Sequence, residues 1–382
     1  MNRRENFKRT LTHTCPDQLI VDLGGNPLSS MEGNSMEKLL DFLGYKAETE
    51  KLPFGKSKRI DEKILKYFDI DTRSVGGILK PKKSLYKKIS DTEYVDEWGI
   101  RRKFTGMYWE FVSAPLKDAD ASDLDDYDFP DPESIDENEL DRIEKEAKDL
   151  YENTDYVICG EHPVYGIFEL GCWLCGFDDY LIKMAIDPDF IKKFSEIVWN
   201  YQRQVIEIYY SRIGKYIHYT SSGDDFATQN NLFMSPDMFR TFIKPYMKER
   251  IALTKTMTDA AFLHHSCGSV FSIINDLIDC GTDILNPIQP KATNMDALTL
   301  RRHFSGKITF HGGLDTQEII PFGNESQIYE EVERVLSTLW NRGGYIAATS
   351  HNIQQDVPSQ NIVWLFEALK KYKHNILQKI KK

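Results

Sequence analysis

The chain has 382 residues, 41% hydrophobic and 12% aromatic, enough for a substantial core in one large domain or two medium ones. A formal net charge of −11 argues against nucleic acid as the main partner, and no apolar run approaches the length of a membrane span. Six cysteines in so long a chain do not make a disulfide framework, and no apolar segment follows the basic start Met1-Asn2-Arg3-Arg4, so the sequence reads as cytoplasmic.

From the N-terminus, residues 19–23 read as a short strand, 36–43 and 61–68 have helical periodicity, and a further strand is expected near 71–76. Residues 80–150 read as an insertion: a β-hairpin and an acidic connecting segment. Within it, 93–104 predicts two strands around a bend at Gly99, and 107–113 a third. The stretch 117–146 is strongly acidic, with Asp123, Asp125, Asp126, Asp128 and Asp131 interrupted by Pro130 and Pro132. It reads as a solvated connection leading into a helix, and it lacks the central glycine of a calcium loop.

Beyond Tyr151, short apolar runs alternate with longer amphipathic ones. Strands are predicted at 156–159, 217–219, 261–265, 283–286, 308–311 and 345–348, and helices at 188–211, 236–258 and 327–340. Such alternation indicates parallel strands joined by helical crossovers. With the two N-terminal segments the strand count is about eight, which favours an α/β fold of the (β/α)8 TIM-barrel class over an open sheet. An N-terminal helical and β-hairpin elaboration would accompany it. Polar residues at the strand ends would then cluster at one mouth: Asp22, Asp71, Tyr219, Asp224, Asp225, His265, Cys267, His311 and His351.

Positions i and i+2 of a strand point to one side, so His265 and Cys267 can converge, and His351, also after a short apolar run, can supply a third group. An imidazole and a thiolate suit zinc, and three protein ligands leave the open position that catalytic zinc needs. The same spacing also fits a buried strand end with a packed thiol. Asp224 and Asp225, between a strand and the helix starting at Ser235-Pro236, could bind a metal or polar substrate, act as a base, or cap backbone amides. Asp315, in His311-Gly312-Gly313-Leu314-Asp315, either caps the next turn or reaches the site. Cys172-Trp173-Leu174-Cys175 has redox-like spacing but lies in a stretch, 168–180, that reads as helical, where its thiols fit as small core residues.

These segments together resemble the uroporphyrinogen decarboxylase superfamily. Gly312-Gly313-Leu314-Asp315 is similar to its Gly-Asn-Leu-Asp element. Ser350-His351-Asn352-Ile353, then Asp356-Val357-Pro358-Ser359-Gln360-Asn361, is similar to Gly-His-Gly-Ile followed by a Pro-Pro-Glu-Asn-type segment. The opening Arg3-Arg4-Glu5-Asn6-Phe7 with Pro16-Asp17, the run from Gly223-Asp224-Asp225 to Ser235-Pro236, and residues 240–245 also fit. The resemblance covers nearly the whole chain and implies the superfamily's barrel as a single domain over 1–382. Two departures direct it. Where decarboxylases carry an Arg-Gln-Ala-Gly-Arg element that holds substrate carboxylates, this chain has Asp22-Leu23-Gly24-Gly25-Asn26, without arginine. Conversely, His265-x-Cys267-Gly268 resembles the His-x-Cys of the superfamily's corrinoid-linked methyltransferases, whose zinc site a later cysteine completes; here His351 stands in that place.

The resemblance therefore implies a zinc-dependent methyltransferase or demethylase, moving a methyl group between a small methylated substrate or thiol and a corrinoid. His265 and Cys267 would hold zinc, with His351 either the third ligand or, as the decarboxylases use the histidine there, a substrate contact; Asp225 and His351 are the candidate catalytic groups. Asp22, Tyr219, Asp224, Gln229 and Asp315 are the candidate substrate contacts. An imidazole in place of a thiolate leaves the metal more positive, which leans toward polarising an oxygen-bound methyl group. The sequence carries no evident corrinoid-binding module, so the cobalamin cofactor is expected on a separate corrinoid protein docking over the mouth. A homodimer is also open, and neither nucleic acid nor membrane is expected as a partner. The rivals are a uroporphyrinogen decarboxylase, a carboxy-lyase of porphyrin biosynthesis, and a non-catalytic barrel that binds a small ligand.

Overall fold

The continuous apolar runs become strands buried on both faces, as parallel sheets with helical crossovers require. A computed structural model describes residues 2–46, 59–106, 109–340 and 343–373. In chain order the strands begin with β1 (Ile20–Val21), β2 (Thr72–Gly76), β3 (Lys87–Ser90), β4 (Glu93–Val95), β5 (Arg101–Phe104) and β6 (Trp109–Ser113). They continue with β7 (Val157–Glu161), β8 (Tyr219–Gly223), β9 (Ala261–His265), β10 (Ile284–Ile288), β11 (Thr309–Gly312) and β12 (Tyr345–Ala347). Eight of these form one parallel sheet in the order β1-β12-β11-β10-β9-β8-β7-β2. Its two edges meet. The Asp71 amide donates to the Val21 carbonyl (3.0 Å), and the Val21 amide donates to the Asp71 carboxylate (2.8 Å). The fold is the expected (β/α)8 barrel, closed partly by a side chain because β1 is only two residues long.

At the end where the strands begin, Phe7 of helix Arg3–Leu11 packs against Ile20, Val157, Tyr219, Leu263, Ile284 and Ile346 inside the barrel. This floor corrects two expectations. Tyr219 opens β8 instead of ending it, because the strand runs on through Thr220-Ser221-Ser222-Gly223, small polar residues that an apolar pattern does not mark. Its ring therefore lies in the floor, away from the mouth. Asp71 precedes β2, so it too sits at the floor, where Lys373 (2.7 Å) and Arg3 (3.0 Å) hold its buried carboxylate. Both cations also pair with Asp69, which ties the first and last described helices to the start of β2.

The insertion is a four-stranded antiparallel sheet, β3-β4-β5-β6, with one more strand than expected. The additional β3 is fully exposed, so no buried face marks it in the sequence. The bend at Gly99 has φ +83°, and Asp96 braces it by accepting from the amides of Trp98 and Ile100 (both 3.0 Å). Trp98 meets Tyr201 of helix Pro188–Ile213 edge-on at 4.9 Å and anchors the sheet to the barrel. Met107 and Tyr108, the start of the third predicted strand, lie outside the described residues. The acidic stretch ends in the expected helix, Glu137–Asn153. Residues 168–180 fall in two helices, Ile167–Cys175 and Phe177–Ile186, separated at Gly176 with φ +88°. Cys172 and Cys175 are buried there, and burial pushes the Cys175 thiol up to about 12. No helix among the described residues is long and apolar enough to cross a membrane.

Candidate metal centre

His265 is the last residue of β9, and Cys267 follows it into the loop at the strands' C-terminal mouth. That loop is tied to its neighbours on both sides. The Cys267 amide donates to Asp225 Oδ1 (2.7 Å), the Ser266 amide to the Asn286 carbonyl (2.8 Å), and the Gly268 amide to Gln289 Oε1 (2.8 Å). Gly268 has φ +82°, and a Cβ there would stand 2.3 Å from the Thr228 carbonyl, so the turn that aims Cys267 requires glycine. His351 arrives from the loop after β12, placed by the Ser350 amide donating to Leu314 O (2.9 Å) and by Asn352, which accepts from the Ser30 amide (2.7 Å).

The three side chains converge. Cys267 Sγ lies 3.4 Å from His265 Nε2, the His265 and His351 rings meet edge-on at 5.8 Å, and all three donor atoms lie within 4.8 Å of one another. Among the described residues this group could hold a metal ion. Asp225 Oδ1 stands 3.6 Å from His265 Nε2, at the edge of the group.

A hydrogen-bond chain runs from His265 into the barrel. Asn286 Oδ1 accepts from His265 Nδ1, and Asn286 Nδ2 donates to His311 Nδ1 (2.6 Å). His311 Nε2 donates to Asp22 Oδ2 (2.8 Å). This order of donors puts a proton on His265 Nδ1, so the ring in its neutral form presents its Nε2 lone pair toward Cys267. Asp22 also accepts from Ser29 (2.5 Å), the Gly25 amide (2.9 Å) and Thr72. Burial pushes its carboxyl up, but His311, then Ser29 and Thr72, outweigh this and hold it below the ordinary range.

Burial lowers the pKa of His265 and brings that of His351 to about 4, with the neighbouring His265 adding to the effect and Asp225 opposing it. Both rings are thus neutral and free to act as ligands near pH 7. The Cys267 thiol is pushed well up by burial, then by Asp225 and Glu169, so a metal must displace its proton.

Glu169 is the residue that sequence reasoning missed. Burial, then Asp225 and Asp224, raise its carboxyl well above the usual range. The available signal was an isolated acid in the apolar helix Ile167–Cys175.

The other predicted site residues are dispersed. Asp224 is buried and accepts from the amides of Phe168 (3.2 Å) and Glu169 (2.8 Å), which caps that helix; burial, partly offset by Arg250, brings its pKa to about 7. Gln229 is exposed on the rim, and its carbonyl accepts from the Thr293 amide (3.0 Å). Asp315 is buried, accepts from the Gln317 amide (2.9 Å) and has Lys291 Nζ at 3.9 Å. Asp22 lies inside the barrel and Tyr219 in its floor, while Asp225, His265, Cys267 and His351 form the compact group at the mouth.

A family model described as "Uroporphyrinogen decarboxylase (URO-D)" matches residues 122–372, about two thirds of the chain. The uroporphyrinogen decarboxylase of Chlorobaculum tepidum is 24% identical over 140 residues, 36% of this chain and 38% of that protein. That of Wigglesworthia glossinidia brevipalpis is 32% identical over 89 residues, 23% of each chain. The chain thus matches well under half the length of these curated relatives. Among solved structures, a methyltransferase from Methanosarcina mazei has a TM-score of 0.66 at 14% identity, covering 97% of this chain and 99% of that one. The two share a fold.

Proposed function

The chain belongs to the uroporphyrinogen decarboxylase family, and from that premise we propose that it is a zinc-dependent methyltransferase or demethylase acting with a corrinoid carried on a separate protein. The observation that carries this reading is the convergence of His265, Cys267 and His351 within 4.8 Å at the barrel mouth. Tetrahedral zinc with nitrogen and sulfur ligands sets those atoms about 3.5 Å apart, and His265 Nε2 and Cys267 Sγ are already 3.4 Å apart. The donor set fits the ion. When bound, zinc would act as a Lewis acid, lowering the pKa of a coordinated thiol or polarising a methoxy or methylamine group.

The chain's own groups prepare that centre. Asn286 fixes the tautomer of His265, so its Nε2 presents a lone pair without rearrangement. Asp225 anchors the Cys267 amide and keeps a carboxylate oxygen 3.6 Å from His265 Nε2, where it can orient a substrate or take its proton. The Glu169 carboxyl, raised by burial and then by Asp225 and Asp224, would be a proton-bearing group near neutral pH. A uroporphyrinogen decarboxylase would need cations for substrate carboxylates. The segment Asp22 to Asn26 supplies none, and Asp22 itself is turned inward onto His311.

Elemental analysis of the purified protein tests the proposal, followed by methyl transfer from methylcobalamin to a small thiol. About one zinc per chain is expected, lost in His265→Ala and Cys267→Ala together with the transfer. No zinc after reconstitution, or decarboxylation of uroporphyrinogen, would overturn it.

A further inference from the structure

A cavity of about 440 Å³ lies between the antiparallel insertion and the loop that follows β1. Tyr94, Phe104 and Trp109 of the insertion and Tyr165 of the loop after β7 contribute aromatic walls. Trp109 stands edge-on to Tyr94 at 5.0 Å and tilted against Phe104 at 5.4 Å, so the three rings form one connected surface.

The charges around it do not cancel. Arg102 is paired with Asp96 at 2.7 Å. Glu32 accepts from Asn352 at 2.7 Å, a neutral donor. Glu97 is 1% exposed and neither of its oxygens has a hydrogen-bond partner, while the Lys80 ammonium, 33% exposed, stands off at 3.9 Å. Three lining carboxylates (Glu32, Asp96, Glu97) thus face two lining cations (Lys80, Arg102). Burial raises the Glu97 carboxyl against the pull of Lys80, and a second positive charge nearby would favour its ionised form. Aromatic faces attract large, weakly hydrated cations, above all methylated ammonium groups, and do not replace the water of a small metal ion. Anions would meet the excess of lining carboxylates.

We propose that this cavity binds a small organic cation carrying N-methyl groups, seated on the Tyr94–Phe104–Trp109 surface with Glu97 as its counter-charge. The cavity is linked to the metal centre: Ser30 and Glu32, which line it, both hydrogen-bond the side-chain amide of Asn352, the residue after His351. A ligand there bears on the loop that positions His351. The inference concerns binding alone and does not depend on the methyl-transfer reading.

The test is calorimetric titration of the full chain, as isolated and again after chelation, with choline and with its uncharged isostere 3,3-dimethylbutan-1-ol. Choline is expected to bind at least about tenfold more tightly than the isostere under both conditions. Trp109→Leu should weaken choline about tenfold. Glu97→Gln should weaken choline and leave the isostere unchanged, with melting curves confirming that both variants fold. The comparison of the two ligands on the unmodified chain needs no variant. Equal affinity for the two ligands, undiminished choline binding in folded Glu97→Gln, or no choline binding at all would overturn the proposal.

Discussion

Replacing Asn286 by leucine removes, at nearly constant volume, the amide that joins His265 to His311. In the native chain its oxygen accepts from His265 Nδ1 and its nitrogen donates to His311 Nδ1 at 2.6 Å. Without it, nothing on that side fixes which His265 nitrogen carries the proton. Loss of an outer-shell partner of a metal-binding histidine weakens affinity by about 10–100-fold, or about 1.4–2.8 kcal/mol. Both imidazoles are buried, and each orphaned group costs about 1–3 kcal/mol, so the metal-free protein should lose roughly 2–6 kcal/mol of stability. Competition for zinc against a chromophoric chelator at neutral pH reads the first effect, and denaturant unfolding the second. Asn286→Asp keeps an acceptor for His265 and should hold zinc within a few-fold of the native chain, whereas Cys267→Ala, which removes a donor, should lose the ion. Native zinc affinity in Asn286→Leu would refute the tautomer-fixing role.

Zinc binding should release about one proton near neutral pH, because the Cys267 thiol is protonated in the metal-free chain while His265 and His351 are already neutral. Calorimetry in buffers of different ionisation enthalpy reads that number, and zero release would contradict it. His218 has its pKa lowered from 6.5 to about 4 by burial and then Arg4, and its Nδ1 accepts from the Ile158 amide at 3.1 Å. The unfolded chain takes up that proton first, so stability should fall as pH drops from about 6.5 to about 4, by up to about 3 kcal/mol from this residue. The stability difference between the native chain and His218→Gln, measured by denaturant unfolding, should shrink over that window; a constant difference would contradict the assignment. Lys373→Met leaves the buried Asp71 with Arg3 as its one cation beside the Val21 amide and should cost about 3 kcal/mol in denaturant unfolding. Unchanged stability would mean that Arg3 suffices.

The alternation of apolar runs with amphipathic ones determined the barrel, because a strand covered on both faces must be apolar throughout and its crossover helix must carry one apolar stripe. The His-x-Cys pair was legible for the same local reason: β9 ends at His265, and the next position on that side is Cys267. Where period and polarity disagree, the sequence misled. Thr220-Ser221-Ser222 continues β8 without an apolar signal, so Tyr219 moved from the mouth to the floor. Asp71 was read at the wrong end of its strand, since composition alone does not show on which side of a short strand a charge finds its partner. Only the closed ring decided which distant groups meet. It brought His351 onto His265 and turned Asp22 inward to His311, which Asn286 joins to His265. It also laid an exposed sheet over the loop after β1 to enclose Glu97. Local pattern records which face of an element is buried; what that face is buried against follows from the order of strands around the barrel, and no single segment contains that order.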